Sequence, residues 1–199
     1  MTHEILAGLA VFAFVSSVTP GPNNMMLMAS GANFGFRRTI PHMLGVALGF
    51  TAMVILVGAG LAGVFDAWPP ATIILKTLSV VYLLYLAWRI ATAAPPKPIP
   101  GATGARPMRF IEAALFQWVN PKAWTMALTA ISVYAPDRSL AAIAVVALIF
   151  GLINLPTVSS WAAIGQEMRR VLTRPSQLRA FNITMALLLV ASLWPVLAP

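Results

Sequence analysis

The chain alternates between long apolar stretches and short polar gaps, and six such stretches stand out. The first runs from about Glu4 to Ala32 and is interrupted by Thr19-Pro20-Gly21-Pro22-Asn23. The second covers about Pro41 to Phe65 and the third about Pro70 to Ala91. The fourth covers about Phe110 to Tyr134 with Asn120-Pro121-Lys122 inside it, the fifth about Leu140 to Gly165, and the sixth about Leu178 to Leu197. Each is near or above the ~20 residues that cross ~30 Å of hydrocarbon at ~1.5 Å per residue. The pattern predicts an all-α integral membrane protein of about six transmembrane helices. Residues 94–109, with Pro95, Pro96, Pro98, Pro100 and Pro107, are too polar and proline-broken to span and read as an exposed loop. That loop divides a single transmembrane domain into a half over 1–93 and a half over 110–199.

Composition strengthens this reading. Only 9% of the 199 residues are charged and 59% are hydrophobic, against roughly 25% charged in soluble domains. So few charges cannot cover a 21.2 kDa globule in water. They suffice where most of the surface faces lipid and each charge is costly. The net charge of +8 does not mark a nucleic-acid partner, because the basic residues sit in the gaps between apolar runs rather than in a patch. Arg37, Arg38, Arg89, Lys97, Arg106, Arg109, Arg169, Arg170, Arg174 and Arg179 fall on one side of the predicted spans, and the other side has Arg138 alone. The positive-inside rule then puts loops 1–2, 3–4 and 5–6 in the cytoplasm and both termini outside. No Lys or Arg precedes Arg37, so the first stretch lacks the basic n-region of a signal peptide and reads as a retained helix.

The two proline breaks recur about a hundred residues apart, in the first and fourth stretches. Three helices separate the two starts, an odd number, so the halves enter the membrane from opposite sides. Opposed three-helix halves with broken helices in matching positions are a mark of secondary transporters.

Each break carries its own chemistry. Pro20 and Pro22 lack N–H groups and leave the carbonyls of Ser16 and Val18 without helical partners. Such groups must be buried in protein or line a polar cavity. A helix restarting after Pro22 presents free N–H groups to an anion, and Thr19, Gly21, Asn23 and Asn24 add backbone access and neutral donors and acceptors. Pro121 likewise frees the carbonyl of Gln117, and Asn120 and Lys122 flank it. Lys122 lies deep along its helix with no acid of that helix in reach, so a substrate carboxylate or another helix is its expected partner. The expected binding set is therefore Thr19, Pro20, Gly21, Pro22, Asn23, Asn24, Asn120, Pro121 and Lys122. The competing readings are a helix–loop junction at the interface for the first break, and a lysine snorkelling to water for the second.

Weaker signals remain. Lys76 reads as a snorkelling anchor and His42 as an interfacial histidine beside Arg37 and Arg38. Gly45 and Gly49, like Gly31 and Gly35, have the G-x-x-x-G spacing that permits close helix contact or a homo-oligomer. Asn154-Leu155-Pro156-Thr157 offers a polar kink able to line a path. Glu4, Asp66, Glu112, Asp137 and Glu167 all fall near span ends, so no carboxylate proton relay is visible. Two His, no Cys and scattered acids draw no metal site or cofactor site, and no catalytic triad has a setting. The chain does not read as an enzyme.

At these residues the sequence resembles the LysE/RhtB family of amino-acid exporters. Thr19 to Asn23 match its Thr-Pro-Gly-Pro-Asn run, and Gly35 to Gly49 resemble its glycine-rich second helix. Lys76 and Tyr82-Leu83-Leu84-Tyr85-Leu86-Ala87-Trp88-Arg89 are similar to its third helix, and Asn120 to Ala123 to its Asn-Pro-Lys-Ala. The sequence departs where Ala87 replaces the usual Gly and where Trp124 alone follows the second motif. The resemblance implies export of an amino acid or close derivative across the bacterial inner membrane, driven by the membrane potential or a proton gradient. The rivals to that expectation are an exporter of another small solute or metal cation and a membrane assembly protein without flux.

Overall fold

The computed structural model describes residues 1–93, 106–135 and 137–194. Among these the chain is helical, with no strand. The expected loop over 94–109 lies mostly outside the described residues, as does the end of the sixth stretch.

The first apolar stretch forms two helices, α1 (His3–Val18) and α2 (Pro22–Phe34), bent by 54° at the Thr19–Gly21 break. Pro22 sits at the first position of α2, where its missing N–H costs nothing. Gly35, at φ 83°, turns the chain directly into α3 (Phe36–Leu56), a conformation that favours glycine. A π turn, Val57–Leu61, continues α3, and a short α4 (Gly63–Ala67) leads to α5 (Pro70–Ala91). The fourth stretch breaks as the first does: α6 (Phe110–Phe116), a 3₁₀ turn over Gln117–Val119, then α7 (Pro121–Tyr134), again with Pro at the first position. The long α8 (Leu140–Val171) and α9 (Pro175–Ala191) follow.

Among the described residues, three helices are long and apolar enough to cross a membrane: Phe36–Leu61, Pro70–Ala91 and Leu140–Val171. The bent pair α1–α2 meets the same test when taken as one span. This is a multi-pass membrane protein with three or four clear spans. The exposed face of α5, carrying Ile73, Val81, Leu84 and Trp88, is apolar, as a lipid-facing surface must be.

Packing centres on α8. It lies against α2, α3 and α1, while α3 also packs on α6 and α5 on α9. Close approach rests on small residues. A Cβ on Gly31 would strike the Ala162 carbonyl, and one on Gly165 would strike that of Met28, so α2 and α8 meet backbone to backbone. A Cβ on Gly49 would lie 2.6 Å from the Ala114 Cα, and one on Gly45 would meet the Phe110 carbonyl. The G-x-x-x-G spacing of α3 is thus occupied within the chain, by α6, rather than left for a second copy. That packing also buries His42, which is 1% exposed.

Several arginines gather around the α2–α3 turn. Arg89 and Arg106 border one cavity with Phe34 and His42, and a Cβ on Gly35 would lie 3.7 Å from Arg169 Nη1. Arg106 holds Glu112 through both guanidinium nitrogens, one at 2.7 Å, and the Arg109 N–H donates to the same carboxylate at 2.8 Å.

Candidate functional site

The two proline breaks meet. Lys122, the second residue of α7, crosses to the end of α1, where its ammonium donates to the Thr19 carbonyl. Asn23 of α2 and Gln117 of the 3₁₀ turn exchange amide hydrogen bonds, Asn23 Nδ2 to Gln117 Oε1 at 2.8 Å and Gln117 Nε2 to Asn23 Oδ1 at 3.2 Å. Gln117 is fully buried and also donates to the Ala113 carbonyl at 2.9 Å. Gly21 leaves the lysine its path, since a Cβ there would lie 2.7 Å from Lys122 Cδ.

The freed carbonyls are shared among side chains. Asn24 Nδ2 donates to the carbonyls of Ser17 at 2.8 Å and Thr19 at 2.9 Å. The expected acceptors were Ser16, Val18 and Gln117, but the 3₁₀ geometry returns the Asn120 N–H to the Gln117 carbonyl at 3.3 Å. Asn120 caps α7, its Oδ1 accepting from the Lys122 N–H at 3.2 Å. One N–H of the α7 terminus is thus taken by its own cap. The α2 terminus has no side-chain cap, because Gly21 stands at that position.

A cleft of about 330 Å³ lies at this junction, lined by Gly21, Asn23, Asn24, Asn120 and Lys122 together with Ser16, Ser17 and Asn154. Phe50, Ala123, Met126 and Val158 give it apolar walls. Of the nine residues expected from sequence, these five border the cleft. Pro22 is buried and Pro121 half-buried, while Thr19 and Pro20 are exposed and Thr19 takes part through its carbonyl. Two polar atoms lining it have no partner among the described residues: the Ser17 hydroxyl and Asn154 Oδ1. Neither belonged to the expected set. Asn154 carried a signal, a polar side chain two residues before Pro156 in an apolar helix, whereas Ser17 reads as an ordinary helical serine.

The chemistry of the cleft is amphoteric. A cation, an uncapped helix terminus and a free hydroxyl suit a carboxylate. The unpartnered amide oxygen of Asn154 suits an ammonium. No Asp or Glu borders the cleft among the described residues.

Comparison with known proteins follows the same direction. The family described as LysE type translocator matches residues 14–192. The chain is 30% identical over 193 residues to the cysteine/O-acetylserine efflux protein of Escherichia coli (strain K12), covering 96% of each. The proteins of the same name from Shigella sonnei (strain Ss046) and Shigella flexneri match at the same identity and coverage. No solved structure gives a significant match.

Proposed function

The chain belongs to the LysE type translocators, and from that premise we propose that it exports a small amino acid with an uncharged side chain, or a close derivative, from the bacterial cytoplasm across the inner membrane. It works as a secondary transporter and not as an enzyme. The observation that carries this reading is the meeting of the two breaks, with Lys122 of one lying on the freed Thr19 carbonyl of the other beside a polar cleft. The substrate carboxylate takes Lys122, the Ser17 hydroxyl and the α2 terminus, and its ammonium takes Asn154 Oδ1. The side chain rests on Phe50, Met126 and Val158.

The absence of an acid in the cleft's described lining disfavours a cationic side chain, for which a buried ammonium would need a counter-charge. The efflux proteins similar to this chain are named for cysteine and O-acetylserine, both within the proposed class. Full architecture is part of the proposal: two inverted three-helix halves, α1–α2, α3 and α5 against α6–α7, α8 and α9, with the basic end in the cytoplasm and both termini outside. Support for this comes from the matching Pro-led restarts of α2 and α7 and from the gathering of arginines around the α2–α3 turn.

The test is counterflow by the purified full chain in liposomes preloaded with unlabelled amino acids. Cysteine, O-acetylserine, threonine and leucine are expected to exchange and lysine is not. A protein that exchanges none of them overturns the proposal, and exchange of lysine alone overturns the assignment of substrate class.

A further inference from the structure

A second cavity, of about 560 Å³, opens beside the α2–α3 turn, between α2, α3, α5 and the lead-in to α6. His42 of α3 lines it with Ser30, Asn33, Arg89 and Arg106. Most polar groups around it are engaged. Ser30 and Thr39 share a hydroxyl–hydroxyl bond of 2.9 Å. Asn33 and Asn182 of α9 exchange amide bonds of 2.7 and 3.1 Å. Arg106 is held by Glu112.

His42 stands apart. It is 1% exposed, yet neither Nδ1 nor Nε2 has a hydrogen-bond partner among the described residues. A neutral imidazole offers one donor and one acceptor, and leaving both unmet in a buried site calls for a reason.

We propose that His42 is the proton-binding residue of this carrier, exchanging its proton with the basic side of the membrane through this cavity. This rests on the export reading above and names what couples that export to a proton gradient. The step is a simple one: a proton adds to the free imidazole nitrogen to give the imidazolium, and leaves again to water in the cavity.

Among the described residues, the charged and titratable groups on the helices around His42 are engaged elsewhere or exposed. The helix α2 carries no titratable side chain. On α3 itself Arg37 and Arg38 precede it, and Arg38 lies 5.7 Å over the Phe34 ring. On α5, Tyr82 is half-buried and Arg89 lies 5.9 Å over the Tyr85 ring. On α6 and its lead-in, Glu112 is taken by Arg106 and by the Arg109 N–H. On α8, Glu167 pairs with Arg170 at 2.8 Å and Arg169 is exposed, while α9 brings only the exposed Arg179. None of these bonds the imidazole. Lys122 lies in the other cleft, where it donates to the Thr19 carbonyl.

The test uses the full chain in lightly buffered liposomes with an entrapped pH-sensitive dye, comparing the wild type with His42→Gln and His42→Asn. Amino-acid counterflow without a pH gradient is measured beside accumulation driven by an imposed gradient. The variants are expected to retain counterflow and lose gradient-driven accumulation, with substrate-dependent proton movement abolished. Variants that accumulate substrate as the wild type does overturn the proposal. If both variants fail to fold, wild-type accumulation measured across pH on the basic side decides, and a profile that shows no titrating group there overturns the proposal. Counterflow without substrate-linked proton movement overturns the role of His42 and leaves export standing. Absence of counterflow for any amino acid overturns the export reading and this inference with it.

Discussion

Replacing Lys122 by Met separates a binding role from a structural one, because the two roles move stability and transport differently. Among the described residues the ammonium makes one hydrogen bond, to the Thr19 carbonyl. That carbonyl keeps a second donor, Asn24 Nδ2 at 2.9 Å, so removing the lysine orphans no acceptor. The lost charged hydrogen bond is worth about 1.5–3 kcal/mol. Against it stands the cost of a lysine inside a span, about 2.5–3.5 kcal/mol on insertion scales. Lys122 is only part-buried, so both terms shrink together, and the net change in stability is about 1 kcal/mol or less, in the stabilising direction. Methionine follows the same path past Gly21 and keeps the apolar contacts of the stem. Transport should behave otherwise. Losing one charge-assisted contact to a carboxylate weakens substrate binding by about 1.5–3 kcal/mol, or about 10- to 150-fold. The assays are thermal unfolding in detergent and counterflow at varied substrate concentration. An unchanged half-saturation concentration, or a melting temperature that falls with activity, would refute the reasoning.

Asn23→Ala should cost about 1–3 kcal/mol, because it leaves the buried Gln117 amide oxygen without its donor; chemical denaturation reads this, and the double variant with Gln117→Leu should recover part of it. Asn154→Ala removes an acceptor that no described residue uses, so stability should not fall by the roughly 1–3 kcal/mol that orphaning a buried partner costs, while the half-saturation concentration for a zwitterion rises; an effect on melting alone contradicts the assignment. Gly165→Leu forces α8 off the Met28 carbonyl and should abolish folded yield, read by size-exclusion chromatography, whereas Gly63→Leu, with open space around it, should be tolerated.

The positions of the helices were legible because apolar length and proline placement are local signals. The third stretch was read at Pro70 to Ala91 and α5 spans those residues. The breaks at Pro20–Pro22 and Pro121 lie where missing N–H groups require them. The lack of an acid nearby gave Lys122 a substrate carboxylate or another helix as its expected partner, and the structure places its ammonium on the Thr19 carbonyl at the end of α1. Sequence could not show which carbonyls Asn24 would take, because the choice depends on the 54° bend. Nor could it bury His42, since periodicity says nothing of α6 closing over α3 through Gly45 and Gly49. The same closure explains why the G-x-x-x-G spacing reads equally well as a dimer face and as an internal seam.

The thirteen-residue α2 is pinned at both ends by reciprocal amide pairs, Asn23 with Gln117 and Asn33 with Asn182. Ten residues of helix separate them, about 15 Å, and the glycine seam with α8 runs between. A lever so held cannot swing freely: widening the cleft at one end strains the amide latch there while the other can stay shut. Displacing either end of α2 therefore breaks a reciprocal amide pair there, whatever happens at the other.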